Sequence, residues 1–126
     1  TLLDQTAFVS GFLDACVRRN VSVLAAGVFN SGLLAGGSTY DYSGASQAIL
    51  KRRDDLAAVC SRHGVALAAA ALQFTAAHPA ITSMLVGARS QREVEDIYNW
   101  CLTNIPAALW GELRAHGLLP TDAPAP

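Results

Sequence analysis

The chain has almost no excess of either charge and no long hydrophobic run. Its 126 residues carry 9 Lys or Arg and 10 Asp or Glu, for a formal net charge of −1. It therefore lacks the basic field that holds nucleic acid or an anionic membrane surface. No apolar run approaches the roughly 20 residues of a membrane-spanning helix, and no signal peptide opens the sequence. We expect a cytoplasmic protein that binds neither nucleic acid nor membrane.

Cysteine is scarce as well. The three cysteines, Cys16, Cys60 and Cys101, lie far apart, and no C-x-x-C pair occurs. Each falls on the apolar face of a predicted helix. This pattern indicates buried free thiols in a reducing compartment rather than disulfides. The alternative is a reactive or metal-bound cysteine.

Apolar residues, by contrast, make up 52% of the chain, and their spacing predicts short helices and strands. Repeats at three and four residues predict helices at about 9–19, 46–63, 66–77, 90–102 and 106–117. Gly64 stands where a C′ glycine belongs, and Gly117 ends the last helix. Short apolar runs at 21–26 and 81–86 predict fully buried strands, and residues 1–4 predict the end of a third.

Residues 27–46 form the one long segment without a predicted element. Five glycines, at positions 27, 32, 36, 37 and 44, lie in it together with a Tyr-Asp-Tyr cluster at 40–42. A loop of this length inside a compact domain is usually functional or mobile.

The order of elements is strand, helix, strand, loop, two helices, strand, helix, helix. With strands that are apolar throughout, this order predicts an α/β fold of about three parallel strands with helices packed outside. A complete eight-stranded barrel needs about 250 residues, so we expect the chain to be part of something larger.

Several segments, taken in order, resemble the aldo-keto reductase family. Residues 25–36, AAGVFNSGLLAG, are similar to the family's strand-seven pattern A-Y-S-P-L-x-x-G-L-L-x-G, and residues 86–90, VGARS, to its strand-eight turn I-P-G-x-x. RHGVAL at 62–67 and ALQF at 71–74 resemble the linking helices. The resemblance implies that residues 1–119 are the C-terminal half of a (β/α)8 TIM-type barrel, followed by a flexible tail at 120–126.

Within the family, two segments resemble a particular branch. NSG at 30–32 and IPAALW at 105–110 look most like the branch that oxidises L-fucose and related aldoses, with a pyridoxal-oxidising relative next.

The strongest chemical feature is a turn between a predicted strand and a predicted helix, formed by Gly87, Ala88, Arg89 and Ser90. Free N–H groups at the helix start, with the helix dipole and Arg89, can bind an anion. An ordinary capped turn is the alternative. The resemblance implies that this turn holds the adenosine end of NAD(P). Glu93 would repel a 2′-phosphate, which favours NAD, whereas Arg89 favours NADP.

The resemblance implies further cofactor contacts elsewhere in the chain. They come from the loop residues Gly27, Phe29, Ser31, Gly32 and Leu33, and from Gln5, which could bind the carboxamide. Ala26 occupies the position of the tyrosine that commonly stacks on the nicotinamide, and an alanine cannot stack. Phe29 could cover the ring instead, or could make an apolar contact within the loop. Residues 31–44 could close over the pyrophosphate, or could stay solvated.

Residues for acid–base chemistry are few. The family uses Asp, Tyr, Lys and His together, and all four positions would precede residue 1. The only lysine, Lys51, falls on a solvated helix face beside Arg52 and Arg53. The three histidines show no spacing typical of a catalytic pair or a metal site. We therefore predict no catalytic residue and no metal in the chain.

Together, the resemblance implies an NAD(P)-dependent oxidoreductase that transfers hydride between nicotinamide and an aldose or aldehyde such as L-fucose. The chain alone would be inactive, and its partner would be a missing N-terminal half-barrel or a second copy. One alternative is a non-enzymatic anion-binding or interaction module that pairs through open sheet edges. Another is a different α/β enzyme fragment that shares only the phosphate turn.

Overall fold

The computed structural model describes residues 1–126 and contains six helices and four strands. Their bounds in chain order are α1 Thr6–Val9, α2 Phe12–Arg18, β1 Val23–Ala26, β2 Thr39–Tyr40, β3 Ser43–Gly44, α3 Gln47–Arg62, α4 Leu67–Ala76, β4 Ile81–Leu85, α5 Gln91–Leu102 and α6 Ala107–Ala115. One 3-10 turn, Leu33–Ala35, lies between β1 and β2. The α/β class and the parallel pairing predicted from the sequence are confirmed.

The parallel sheet has two strands, not three. Strand β1 pairs with β4 in a register that sets Ala26 beside Leu85. Residues 1–4, predicted as a third strand, instead form a turn in which the backbone N–H of Asp4 donates to the Thr1 hydroxyl over 2.9 Å. The side chains of Leu2 and Leu3 are nevertheless buried in the core. The apolar pair therefore indicates burial in the core. It does not form a strand, because no neighbouring strand pairs with it.

The prediction that both strands are fully buried is wrong. Their residues are half-buried or exposed, and Leu24 and Leu85 are 60% and 63% exposed. Strand β4 contacts helix α4, which covers one face of the sheet. The second face, carrying Leu24 and Leu85, is open within this chain.

One predicted helix is divided in two, and the apolar face of another is less buried than expected. The first predicted helix is divided into α1 and α2 by Gly11, whose φ of 72° no regular helix contains. The apolar stripe of α5 is exposed, with Tyr98 at 65% and Leu102 at 66%, and Cys101 on this helix is exposed rather than buried. Cys16 and Cys60 are buried, as predicted.

The main core lies between α3, α4 and α6. The predicted stripe on α6, formed by Leu109, Trp110 and Leu113, is fully buried. Helix α4 is buried on nearly every side through residues 68–72. Four consecutive alanines at 68–71 present little side-chain bulk, so neighbouring elements can approach α4 closely.

The C-terminal ends of α3 and α6 follow the predictions closely. Gly64 and Gly117 both have φ of 66°, as left-handed residues after α3 and α6 should. Residues 120–126 have no regular secondary structure, yet Ala123 is buried and its carbonyl accepts a hydrogen bond from Arg114 over 2.8 Å. The flexibility of this tail stays a prediction.

No single helix has the length and apolar content to cross a bilayer. Helices α3 and α4 have the required length and apolar content only when they are taken together, and the two helices are bent by 98° relative to one another.

Candidate functional site

The turn after β4 leads directly into α5, and its hydrogen bonds are made within the turn. The Ser90 hydroxyl accepts from the N–H of Glu93 over 3.2 Å, so Ser90 is the N-cap of α5. The Glu93 carboxylate accepts from the backbone N–H of Arg89 over 2.6 Å and from its guanidinium over 3.3 Å. Glu93 thus binds one residue before the N-cap, a shifted form of the capping box.

These hydrogen bonds affect the pKa of Glu93 and decide which donors of the turn are already occupied. The backbone N–H of Arg89, followed by its side chain, holds the pKa of Glu93 below its usual range despite the opposing effect of burial. The side chain of Arg89 is 92% exposed, and its guanidinium faces Glu93 over 3.3 Å. The N–H groups of Gln91 and Arg92 lie in the first helical turn and have no intrahelical acceptor. The turn therefore offers donors to an anion, while Glu93 competes for one of them.

The loop after β1 has an unusual backbone. Gly27, Asn30, Ser31 and Gly32 all have φ between 48° and 94°, in the left-handed region. Asn30 is buried, and its side-chain oxygen accepts from the Thr1 hydroxyl over 2.7 Å. This bond fixes the loop to the start of the chain.

Two of the predicted loop contacts belong to the core. Leu33 is fully buried in the main cluster. The ring of Phe29 meets that of Trp100 edge-to-face, with 5.7 Å between ring centroids. This contact links the loop after β1 to α5.

The sheet brings the loop and the turn to a common edge. Since β1 and β4 are parallel and end opposite each other at Ala26 and Leu85, residues 27–33 and 86–90 both leave the carboxyl end of the sheet. Ligand sites of parallel α/β folds are found at this edge. Ten of the eleven predicted cofactor residues are in these two segments or, for Glu93, in the first turn of α5.

Gln5, the eleventh predicted residue, is bonded to both ends of the chain. Its amide nitrogen donates to the carbonyls of Leu2 and Leu118 over 3.0 and 2.9 Å, which makes it a tie between the two chain ends. Gln5 also lines a cavity of about 270 Å³ together with Ala26 and His78, and no residue of the 86–90 turn lines that cavity.

Sequence reasoning missed a small hairpin in the long loop. Strands β2 and β3 pair antiparallel, and the turn residues Asp41 and Tyr42 both have positive φ. The Thr39 hydroxyl donates to the carbonyl of Ser31 over 2.7 Å, and the N–H of Tyr42 donates to the Ser31 hydroxyl over 3.1 Å. Hairpin turns of this kind favour Asn-Gly or Asp-Gly, so Asp-Tyr carries a weak sequence signal.

A second charged cluster lies away from this edge, between α3 and α6. Glu112 accepts hydrogen bonds from Arg62 and from His63, the latter over 2.7 Å. The bond from Arg62, with that from His63, lowers the pKa of Glu112. The cluster joins two helices and contains no nucleophile.

The basic residues of α3 differ from their prediction as a solvated group. Lys51 is exposed and pairs with Asp55 over 2.7 Å, as a surface residue should. Arg52, however, donates to the carbonyls of Leu3 and Leu118 over 3.3 and 2.9 Å. Arg52 therefore joins α3 to both chain ends, because its long side chain reaches carbonyls whose position the sequence could not show.

Comparison with known proteins agrees with the α/β class of the fold. Residues 2–117 match the model of the aldo/keto reductase family, and the chain belongs to that family. It is 38% identical over 123 residues to a pyridoxal 4-dehydrogenase of Microbacterium luteolum, covering 94% of this chain and 36% of that protein. It is 36% identical over 126 residues to a D-threo-aldose 1-dehydrogenase of a Pseudomonas species, covering 96% and 38%. The chain thus spans little more than a third of the length of either relative.

Proposed function

We propose that this chain is the cofactor-phosphate half of an NAD(P)-dependent oxidoreductase of the aldo-keto reductase type. The observation that carries the proposal is the common edge at which the loop after β1 and the turn after β4 leave parallel strands. The cofactor, when bound, supplies the hydride chemistry, and the substrate is an aldose, an aldehyde or a pyridoxal-like compound. Both dehydrogenases similar to the chain support this substrate class.

The residues present fit one end of such a cofactor. The first-turn N–H groups of α5 and the exposed guanidinium of Arg89 are donors suited to a phosphate. The nicotinamide end is fitted poorly, since Ala26 cannot stack, Phe29 is engaged with Trp100, and the Gln5 amide is engaged with two carbonyls. We therefore assign the phosphate and adenosine end to Gly87, Ala88, Arg89, Ser90 and Glu93, and NAD as the preferred cofactor.

Calorimetric titration with NAD, NADP and ADP-ribose tests this assignment. Arg89→Ala should weaken all three ligands. The matched control is Arg92→Ala, which removes an equally exposed arginine of the same helix end that faces Asp96 over 3.9 Å, and it should have a smaller effect. Glu93→Gln should strengthen NADP more than NAD. Tighter binding of NADP than of NAD by the parent chain would refute the cofactor preference, and no binding at millimolar ligand would refute the proposal.

The chain alone should not turn over substrate, because it carries no matched proton donor. Assays with L-fucose, D-arabinose and 4-nitrobenzaldehyde should show no NAD(P)-dependent turnover. Turnover that Tyr40→Phe or Lys51→Met abolishes would contradict this expectation.

We also propose that the chain is half of a (β/α)8 barrel, completed by a preceding segment of a longer protein or by a second copy. The open sheet face of Leu24 and Leu85 and the exposed stripe of α5 support this, since proteins seldom expose large apolar patches. The sheet also has only two strands, so each has one unpaired edge, and proteins seldom leave such edges bare. Light scattering combined with intact mass spectrometry separates the two cases. A monodisperse 13.2 kDa monomer with a cooperative melt would refute both.

A second candidate function is a non-enzymatic anion-binding or interaction module. The two-stranded parallel sheet favours it, because each strand has one unpaired edge that could pair with another chain. Inorganic phosphate that binds as tightly as ADP-ribose, with no added effect of the nicotinamide, would support this alternative over the enzyme.

A further inference from the structure

The hairpin of β2 and β3 holds an aromatic side chain in solvent. Tyr42 is 97% exposed, more than any other large hydrophobic residue of the chain. Tyr40, on the other side of the turn residue Asp41, is half-buried against the main core. The two tyrosines therefore have different roles, and that of Tyr42 is not packing.

The backbone at Tyr42 is unfavourable for an aromatic residue. Its φ is 63°, and that of Asp41 before it is 46°. Turns with two left-handed residues favour glycine or asparagine, because a Cβ atom is crowded in this conformation. Nothing that the Tyr42 side chain contacts within the chain offsets this strain. Strained residues of this kind cluster at ligand-binding sites.

The hairpin is also fixed to the common edge of the sheet. Ser31, in the loop after β1, accepts from the Thr39 hydroxyl through its carbonyl and from the Tyr42 N–H through its hydroxyl. These two bonds hold the tip of the hairpin against the loop that leaves the carboxyl end of β1. A ligand bound at that edge would lie within the same region as Tyr42.

We propose that Tyr42 is a ligand-contacting residue that stacks on a planar ring of the bound nicotinamide dinucleotide. This inference rests on the proposed function. It supplies the ring contact that Ala26 cannot make and that Phe29, engaged with Trp100, does not offer. An exposed tyrosine on a pinned turn presents a ring face at little further cost in conformational entropy.

Tyr42→Gly separates this role from a structural one. Glycine removes the ring and relieves the strain at φ 63°, so the melting temperature should stay equal or rise. The Kd for NAD should nevertheless increase at least about 5-fold, the lower end of what ring stacking contributes. Tyr42→Phe should bind NAD as the parent chain does. Tyr98→Ala, which removes another exposed tyrosine from α5, is the control and should leave the Kd unchanged.

Titration with ADP-ribose and with nicotinamide mononucleotide identifies the ring, because only the fragment that contains it should lose affinity in Tyr42→Gly. Unchanged NAD binding in Tyr42→Gly would overturn the proposal, as would a parallel loss of affinity and melting temperature. If Arg89→Ala weakens NAD but Tyr42→Gly does not, this inference fails and the proposed function stands. A parent chain that binds no dinucleotide overturns both.

Discussion

Helix α5 carries the turn proposed for the cofactor phosphate, and the side chain of Gln73 joins the end of this helix to α4. No residue of α5 is fully buried. The amide nitrogen of Gln73, on α4, donates to the carbonyls of Trp100 and Thr103 at the end of α5 over 3.0 and 2.7 Å. A third carbonyl, that of Cys101, lies at 3.5 Å. We predict that Gln73→Ala loosens α5 more than any other element.

The magnitude follows from the donors involved. An amide NH₂ group has two hydrogens, so Gln73 makes two good hydrogen bonds, each with a net contribution of about 0.5–1.5 kcal/mol. Gln73→Ala should therefore cost about 1–3 kcal/mol. Gln73→Glu should cost more, because it places carboxylate oxygens against carbonyl oxygens. Gln91→Ala is the control, since Gln91 bonds only to exposed Glu95 over 2.7 Å, and it should cost less than about 0.5 kcal/mol.

Urea unfolding measures the free energy, and hydrogen exchange read by mass spectrometry shows where protection is lost. In Gln73→Ala the exchange rate should rise in residues 91–103 and stay near that of the parent in α3 and α6. Equal effects of Gln73→Ala and Gln91→Ala would refute the reasoning, and so would a uniform loss of protection along the chain.

Three further outcomes are expected. Hydrogen bonds from Arg62 and His63 lower the pKa of Glu112, so its contribution to stability is present above the ordinary glutamate pKa of about 4.3 and is lost as pH falls below it. The melting temperature should therefore fall more steeply between pH 6 and pH 3 in the parent than in Glu112→Gln, and parallel curves would contradict this. Burial raises the pKa of the Cys60 thiol to about 11, so Ellman's reagent at pH 7.5 should modify exposed Cys101 rapidly and Cys60 slowly. A rapid phase that persists in Cys101→Ser would contradict this assignment. In thermal melts, Gly111→Ala, at an exposed position of α6, should stabilise the chain by up to about 1 kcal/mol. Gly64→Ala, at φ 66°, should destabilise it by about 1–2 kcal/mol, and a shift of the same sign in both variants would show that backbone conformation does not decide the effect.

Local signals in the sequence were sufficient for most of the secondary structure. Ser46 and Ser90 cap α3 and α5 because a serine hydroxyl binds the free N–H groups of the first turn, whatever surrounds the helix. Gly64 and Gly117 end α3 and α6 because left-handed φ strains any residue with a Cβ atom. The family was also recognisable, since the segments at 25–36 and 86–90 keep their order and spacing.

Long-range contacts account for the errors. An apolar stripe shows which face of a helix avoids water, but not whether another element covers it, and the stripe of α5 with Tyr98 and Leu102 is uncovered in this chain. The hairpin pinned by Ser31 also depends on contacts that join residues 8 and 11 positions apart.

The sequence by itself determined the class of fold, the ends of the helices and the family, because caps, periodicity and motif spacing act over a few residues. The tertiary structure alone decided which apolar surfaces are buried and how Arg89, Glu93 and Ser31 are engaged. It also decided that the segments after β1 and β4 share one edge, because strands far apart in sequence become neighbours only when the sheet forms.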